Sequence, residues 1–88
     1  MLYEVSFKPE AVDDLRRLDK AVAQRILRRV RWLSENFDSA TPESLTGEFK
    51  GLFKFRVGSY RVIYEVARGE HLLTVHLVGH RREVYKRK

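Results

Sequence analysis

The chain has 88 residues, 43% of them hydrophobic, with no cysteine and with 18 Lys and Arg against 12 Asp and Glu, a net charge of +6. That length suits a single domain over 1–88 whose one core buries about 60–65% of the unfolded surface, and the missing cysteines exclude disulfides and thiolate metal sites. No stretch is long enough to cross a bilayer and no charged-then-apolar leader is visible, so a cytoplasmic protein without membrane attachment is expected.

Leu2 to Phe7 alternates, with Tyr3, Val5 and Phe7 on one side, which predicts a strand. Pro9 suits the first turn of a helix, where its missing N–H is not needed. Ala11, Val12, Leu15 and Leu18 give that helix an apolar stripe. Asp19 can cap a second helix from Lys20 to about Asn36, in which Val22, Ile26, Val30, Leu33 and Phe37 recur at helical spacing. Arg25, Arg28, Arg29 and Arg31 fall outside the stripe and read as a solvated face, with a second contact surface for RNA or protein as the functional alternative. Trp32 is expected to pack at the edge of the core. Asp38 to Ser44 reads as a polar loop around Pro42.

The next segment carries the most information. From Leu52 to Val66, apolar and polar residues alternate on each side of Gly58-Ser59, a pair suited to a two-residue hairpin turn. The turn would set Val57 against Tyr60, Arg56 against Arg61, Phe55 against Val62, Lys54 against Ile63 and Phe53 against Tyr64. Phe53, Phe55, Val57, Tyr60, Val62, Tyr64 and Val66 then share one face, and Lys54, Arg56 and Arg61 share the other. Like charges placed opposite one another destabilise a sheet, so a chain that sets Arg56 across from Arg61 is built to hold an anion there.

A fourth strand is predicted from Leu72 to Val78, with Leu73, Val75 and Leu77 facing the core and Thr74 and His76 facing away. Gly79 is a candidate bulge or bend, which leaves the facing of His80 and Arg81 open. The element order β-α-α-β-β-β implies an α+β fold: two N-terminal helices packed on one face of a four-stranded, mainly antiparallel twisted sheet. The aromatic hairpin face meets the helices, and the basic face is left to solvent.

Charge follows the same division. Residues 1–49 carry 8 Lys and Arg against 9 Asp and Glu, a net of −1; residues 50–88 carry 10 against 3, a net of +7. A polyanionic partner is implied, nucleic acid being the commonest. His71, His76 and His80 lack the company that a metal site needs. No phosphate-binding glycine loop and no nucleophilic Ser or Cys in a recognisable setting is present, and no cofactor is expected.

A row of fixed cations suits metal-free RNA cleavage, in which a 2′-hydroxyl attacks its own neighbouring phosphate. Guanidinium groups stabilise the charge that gathers on the phosphate oxygens. Lys54 is a candidate base if neighbouring Arg56 and Arg61 lower its pKa, His80 a candidate acid or base, and Tyr85 a stacking platform for a base. Packing at the sheet edge is the structural alternative for Tyr85, and a surface or packed role for His80. Lys50, Arg82 and Lys86 flank the row as further RNA-binding cations.

Lys54-Phe-Arg-Val-Gly-Ser-Tyr-Arg-Val-Ile-Tyr64 and Val78-Gly-His-Arg-Arg-Glu-Val-Tyr85, with Ala-x-x-Asp-Leu-x-x-Leu in the first helix and Leu45-x-Gly47, resemble the RelE/ParE superfamily of toxins from type II toxin–antitoxin systems. The RelE-like branch is the nearer match. The resemblance implies the RelE-like microbial RNase fold and a ribosome-dependent endoribonuclease, an mRNA interferase that inhibits translation. It implies phosphate-binding or acid–base roles for Lys54, Arg56, Arg61 and Arg81, and base stacking by Tyr85. It also implies the ribosome and mRNA as partners, together with a RelB-like antitoxin in a hetero-oligomer.

The chain departs from the pattern of RelE-like toxins at three places. Arg56 stands where these toxins carry a second lysine, and arginine is a poor base. His80 stands in place of another cation, and any helix after Tyr85 is expected to be very short. Two alternatives follow: a ParE-type inhibitor of DNA gyrase without nuclease activity, and a degenerate module that only binds its antitoxin.

Overall fold

The computed structural model describes residues 2–86; Met1 and the last two cations of the basic tail, Arg87 and Lys88, lie outside the described residues. Strand β1 (Glu4–Phe7) leads into α1 (Pro9–Arg16) and α2 (Lys20–Glu35). A two-residue strand β2 (Glu43–Ser44), the hairpin β3 (Phe53–Val57) and β4 (Tyr60–Ala67), and β5 (Leu72–His80) follow. Short 3-10 turns lie at Phe37–Ser39, Gly47–Phe49, Arg68–Glu70 and Val84–Lys86. Pro9 opens α1, as its fixed φ favours. Asp19 stands at the N-cap of α2 without a side-chain cap bond. Among the described residues no helix is long and apolar enough to cross a membrane.

The sheet has five strands in the order β1-β5-β4-β3-β2, not four. Its β1–β5 pair is parallel, with Glu4 opposite Leu72 and Phe7 opposite Val75; the remaining pairs are antiparallel. Two physical reasons explain the difference. The added strand is only two residues long and sits in a polar loop, too short to show a period. The parallel pair joins segments far apart in the chain, and local alternation does not report direction.

The hairpin register is the one that the turn dictates, with Arg56 opposite Arg61 and Lys54 opposite Ile63. Gly58 has φ +59 while Ser59 stays out of the positive region, the pattern of a type II′ turn. The core lies between the helices and one sheet face. It gathers Ile26, Val30 and Leu33 of α2 with Val57, Val62, Tyr64, Leu73, Val75 and Val78.

Leu77 is not part of that core. The β4–β5 ladder slips between Ile63, which faces Leu77, and Tyr64, which faces Val75. His76 is therefore the extra residue of a β-bulge, and such a bulge reverses the facing of all that follows. Val78 takes the buried place, and Leu77 turns to the opposite face beside His76. The bulge lies at His76 and not at Gly79, which stays in the ladder opposite Arg61.

Beyond Val75 the outer edge of β5 has no β1 residue to pair with. The Val78 N–H instead donates to Oδ2 of Asp14, a buried carboxylate on α1, at 2.9 Å. One side chain thus ties α1 to the free edge of β5 and satisfies a donor that would otherwise be orphaned.

Candidate nucleic-acid interface on the open sheet face

The sheet face away from the helices carries Lys54, Arg56 and Arg61, as the register requires. It is not bare. Ile63, on the same face, is wholly buried. Val84 is also wholly buried and packs against Gly79, where an added Cβ would stand 3.3 Å from the Cβ of Val84. The Phe49 and Tyr85 rings meet edge to face at 6.1 Å. The two turns that hold these residues roof the middle of the face. Sequence alternation cannot foresee this, because the covering residues come from segments without a period.

Glu43 changes the electrostatics of the row. Its Oε2 accepts from Nη2 of Arg56 at 3.3 Å and lies 3.8 Å from Nζ of Lys54. The partners sit at the sheet edge because β2 pairs Glu43 directly with Lys54. This relieves the repulsion between Arg56 and Arg61. All three groups keep solvent contact, so the pairs are weak. Arg61 is held differently: Nη1 donates to the carbonyls of Gly58 and Tyr60, both at 2.9 Å. Among the described residues its Nε and Nη2 donors have no partner and are available to an anion.

Arg81 stands beside the hairpin turn, its N–H donating to the Ser59 carbonyl at 2.8 Å. Lys50, Arg82 and Lys86 are exposed. His80 is not brought into the row. It pairs with Tyr60, its ring stands edge-on to the Tyr60 ring at 5.9 Å, and it shares a recess with Asp14, Arg17 and Leu18 of α1. Its Nδ1 accepts the Arg82 N–H at 3.3 Å, and the ring lies on the helix side of the sheet. Tyr85 is packed against Phe49, and its hydroxyl is buried with no hydrogen-bond partner among the described residues.

On the helix side, Trp32 stacks nearly parallel on Phe55 at 6.4 Å, with the Arg29 guanidinium 4.7 Å from its ring. Trp32 keeps 43% exposure and so packs at the core's edge. Burial pushes the Tyr64 phenol up to about 12, with Glu43 adding to the rise and Arg68 opposing it. Sequence reasoning missed Glu43, which carries no motif, and the Glu65–His76 pair, which joins diagonal neighbours of two strands whose register the sequence does not give.

Comparison with known proteins decides the family. Residues 5–85 match the family model of the ParE toxin of the type II toxin–antitoxin system parDE. The chain belongs to this family, within the RelE/ParE superfamily of toxins. A RelE-like toxin protein of Escherichia coli is 26% identical over 86 residues, covering 92% of this chain and 85% of the other. A chain of the RelBE2 toxin–antitoxin complex of Mycobacterium tuberculosis superposes with a TM-score of 0.82 at 25% identity, covering 91% of this chain and 92% of that one. A chain of the archaeal RelE–RelB complex of Pyrococcus horikoshii gives 0.71 at 26% identity, covering 92% and 97%. The protein is thus a toxin of a type II toxin–antitoxin system.

Proposed function

We propose that this toxin is a ribosome-dependent endoribonuclease that cuts mRNA by attack of a 2′-hydroxyl on the adjacent phosphate. The observation that supports it is the hairpin register, which sets Lys54, Arg56 and Arg61 side by side on one rigid face, with Arg81 at the turn. Arg56, Arg61 and Arg81 hold the phosphate and stabilise the charge of the transition state. The arginines stay protonated, so of the row only Lys54 can exchange a proton, and the acid–base work falls to it. Tyr85 stacks on a base once it leaves Phe49, and Lys50, Arg82 and Lys86 extend the contact with the RNA backbone. The Glu43 carboxylate occupies the place of a phosphate and must be displaced by it. A RelB-like antitoxin neutralises the toxin in a hetero-oligomer.

A second reading is a gyrase inhibitor without nuclease activity. The family model is named for ParE, and Glu43 already engages two of the cations. Expression of the wild type, Arg61→Ala and Arg81→Ala in a bacterial host separates the two. The nuclease reading expects growth arrest with cleaved transcripts, and a loss of roughly 10²–10³ in cleavage for each variant. Arrest with DNA damage and intact transcripts, undiminished in both variants, supports the gyrase reading instead.

A further inference from the structure

The open face holds a cleft of about 530 Å³ that the cation row does not use. It is lined by Phe49, Leu52, Leu77 and His76, together with Lys8 and the carboxylates Glu10 and Glu48. Clefts of this size with an apolar lining and a few polar groups are the usual form of a small-ligand site. Its place matters more than its size. Leu77 is opposite Ile63, and Ile63 is opposite Lys54. The cleft therefore begins two strands from Lys54, about 10 Å across the sheet, on the far side of the roofed Ile63. That is a span a single nucleotide covers.

Leu77 is there because of the bulge. In an unbroken ladder, Leu77 would face the helices. Alternation already sets His76 on the open face, and the slip brings Leu77 beside it toward the cleft, as bulges next to binding sites do. Glu65, one strand away, accepts from Nε2 of His76 and fixes the ring. This leaves Nδ1 to meet a ligand's edge, as acceptor from the neutral ring or donor from the charged one. An aromatic wall, an apolar floor and one oriented ring nitrogen suit a planar heterocycle with hydrogen-bonding edges.

We propose that this cleft binds a nucleobase of single-stranded RNA, next to the phosphate held by the cation row. The base lies against Phe49 and Leu77, and His76 contacts its edge. The proposal rests on the RNA reading of the row and adds a subsite that selects the substrate.

The test uses a fully 2′-O-methylated RNA hexamer, which cannot be cut by 2′-hydroxyl attack, and its abasic twin. Both are titrated into the isotope-labelled toxin by NMR. The intact hexamer should shift the Leu52 and Leu77 methyls and the His76 ring; the abasic twin should move only the hairpin amides. Loss of the base, or filling of the cleft by Leu77→Trp, should weaken binding roughly tenfold, the scale of one stacked base. His76→Ala, assayed on a chain whose amide spectrum remains dispersed, serves as the second variant and should weaken the intact hexamer while leaving the abasic one unchanged. Equal affinity for the two hexamers, a silent cleft, or no binding overturns the site. Because the hexamer is inert, base-dependent binding by a toxin that never cleaves mRNA would keep the site and remove the nuclease. Normal cleavage with a silent cleft would do the reverse.

Discussion

Glu43→Gln tests how firmly the row is already occupied. The carboxylate meets Arg56 at 3.3 Å and Lys54 at 3.8 Å, with all three side chains partly in solvent. Exposed pairs of this kind contribute at most about 1 kcal/mol each. A phosphate that enters the row must break both. Removing the charge should therefore tighten binding of an uncleavable single-stranded RNA roughly three- to tenfold at low salt, or about 0.7–1.4 kcal/mol. One more unit of uncompensated positive charge in the row should also steepen the slope of log K against log salt by about 0.7. Fluorescence anisotropy with a labelled 2′-O-methyl RNA, run from low to high salt, measures both. The gain should shrink as salt screens the pairs. The fold should not suffer, since Glu43 is exposed on a two-residue edge strand. Unchanged or weaker RNA binding by a folded Glu43→Gln protein would refute the competition between this carboxylate and phosphate.

Asp14→Ala removes a hydrogen bond to an ionised acceptor and leaves the Val78 N–H without its partner; a loss of about 2–4 kcal/mol is expected. For a domain of this size that is a fall in Tm on the order of 10–20 °C by calorimetry, and a shift of only a degree or two would contradict the role given to this carboxylate. Tyr64 is held protonated by burial, with a folded pKa of about 12 against 10.0 when exposed. Its stabilising effect is complete below pH 10.0 and is lost as pH rises toward 12, so denaturant titrations should show stability falling across that window. Tyr64→Phe should remove that part of the alkaline slope; an unaltered slope would place the titration elsewhere. Gly79→Ala sets a Cβ 3.3 Å from that of Val84 and should push the Val84–Lys86 turn outward. NMR should show shifts at Tyr85 and Phe49, whereas a change confined to β5 would mean that the turn does not roof the face.

The hairpin was legible down to its register because its information is local. A glycine at the first turn position and strict alternation on both sides leave one pairing open. The helices were equally plain, since Ile26, Val30 and Leu33 repeat at the period of the face they bury. The His76 bulge was not legible. Leu72 to Val78 alternates well enough to read as an unbroken strand, and the slip is set by which residues fit against β4 and the helices. That single step moved Leu77 to the open face and Val78 to the core. It also leaves Gly79 opposite Arg61 and places the His80 ring against Tyr60, away from Lys54, Arg56 and Arg61. Glu43 was hidden for a related reason. Its meaning depends on a two-residue pairing with β3, and nothing in Pro42-Glu43-Ser44 announces a strand.

The most direct trial of the account adds purified toxin to ribosomes programmed with a defined mRNA and maps the transcript ends. The nuclease reading predicts new ends within the decoding site, terminated by 2′,3′-cyclic phosphate and formed roughly 10²–10³-fold more slowly with Arg61→Ala. Full-length mRNA after prolonged incubation with folded wild-type toxin would contradict it.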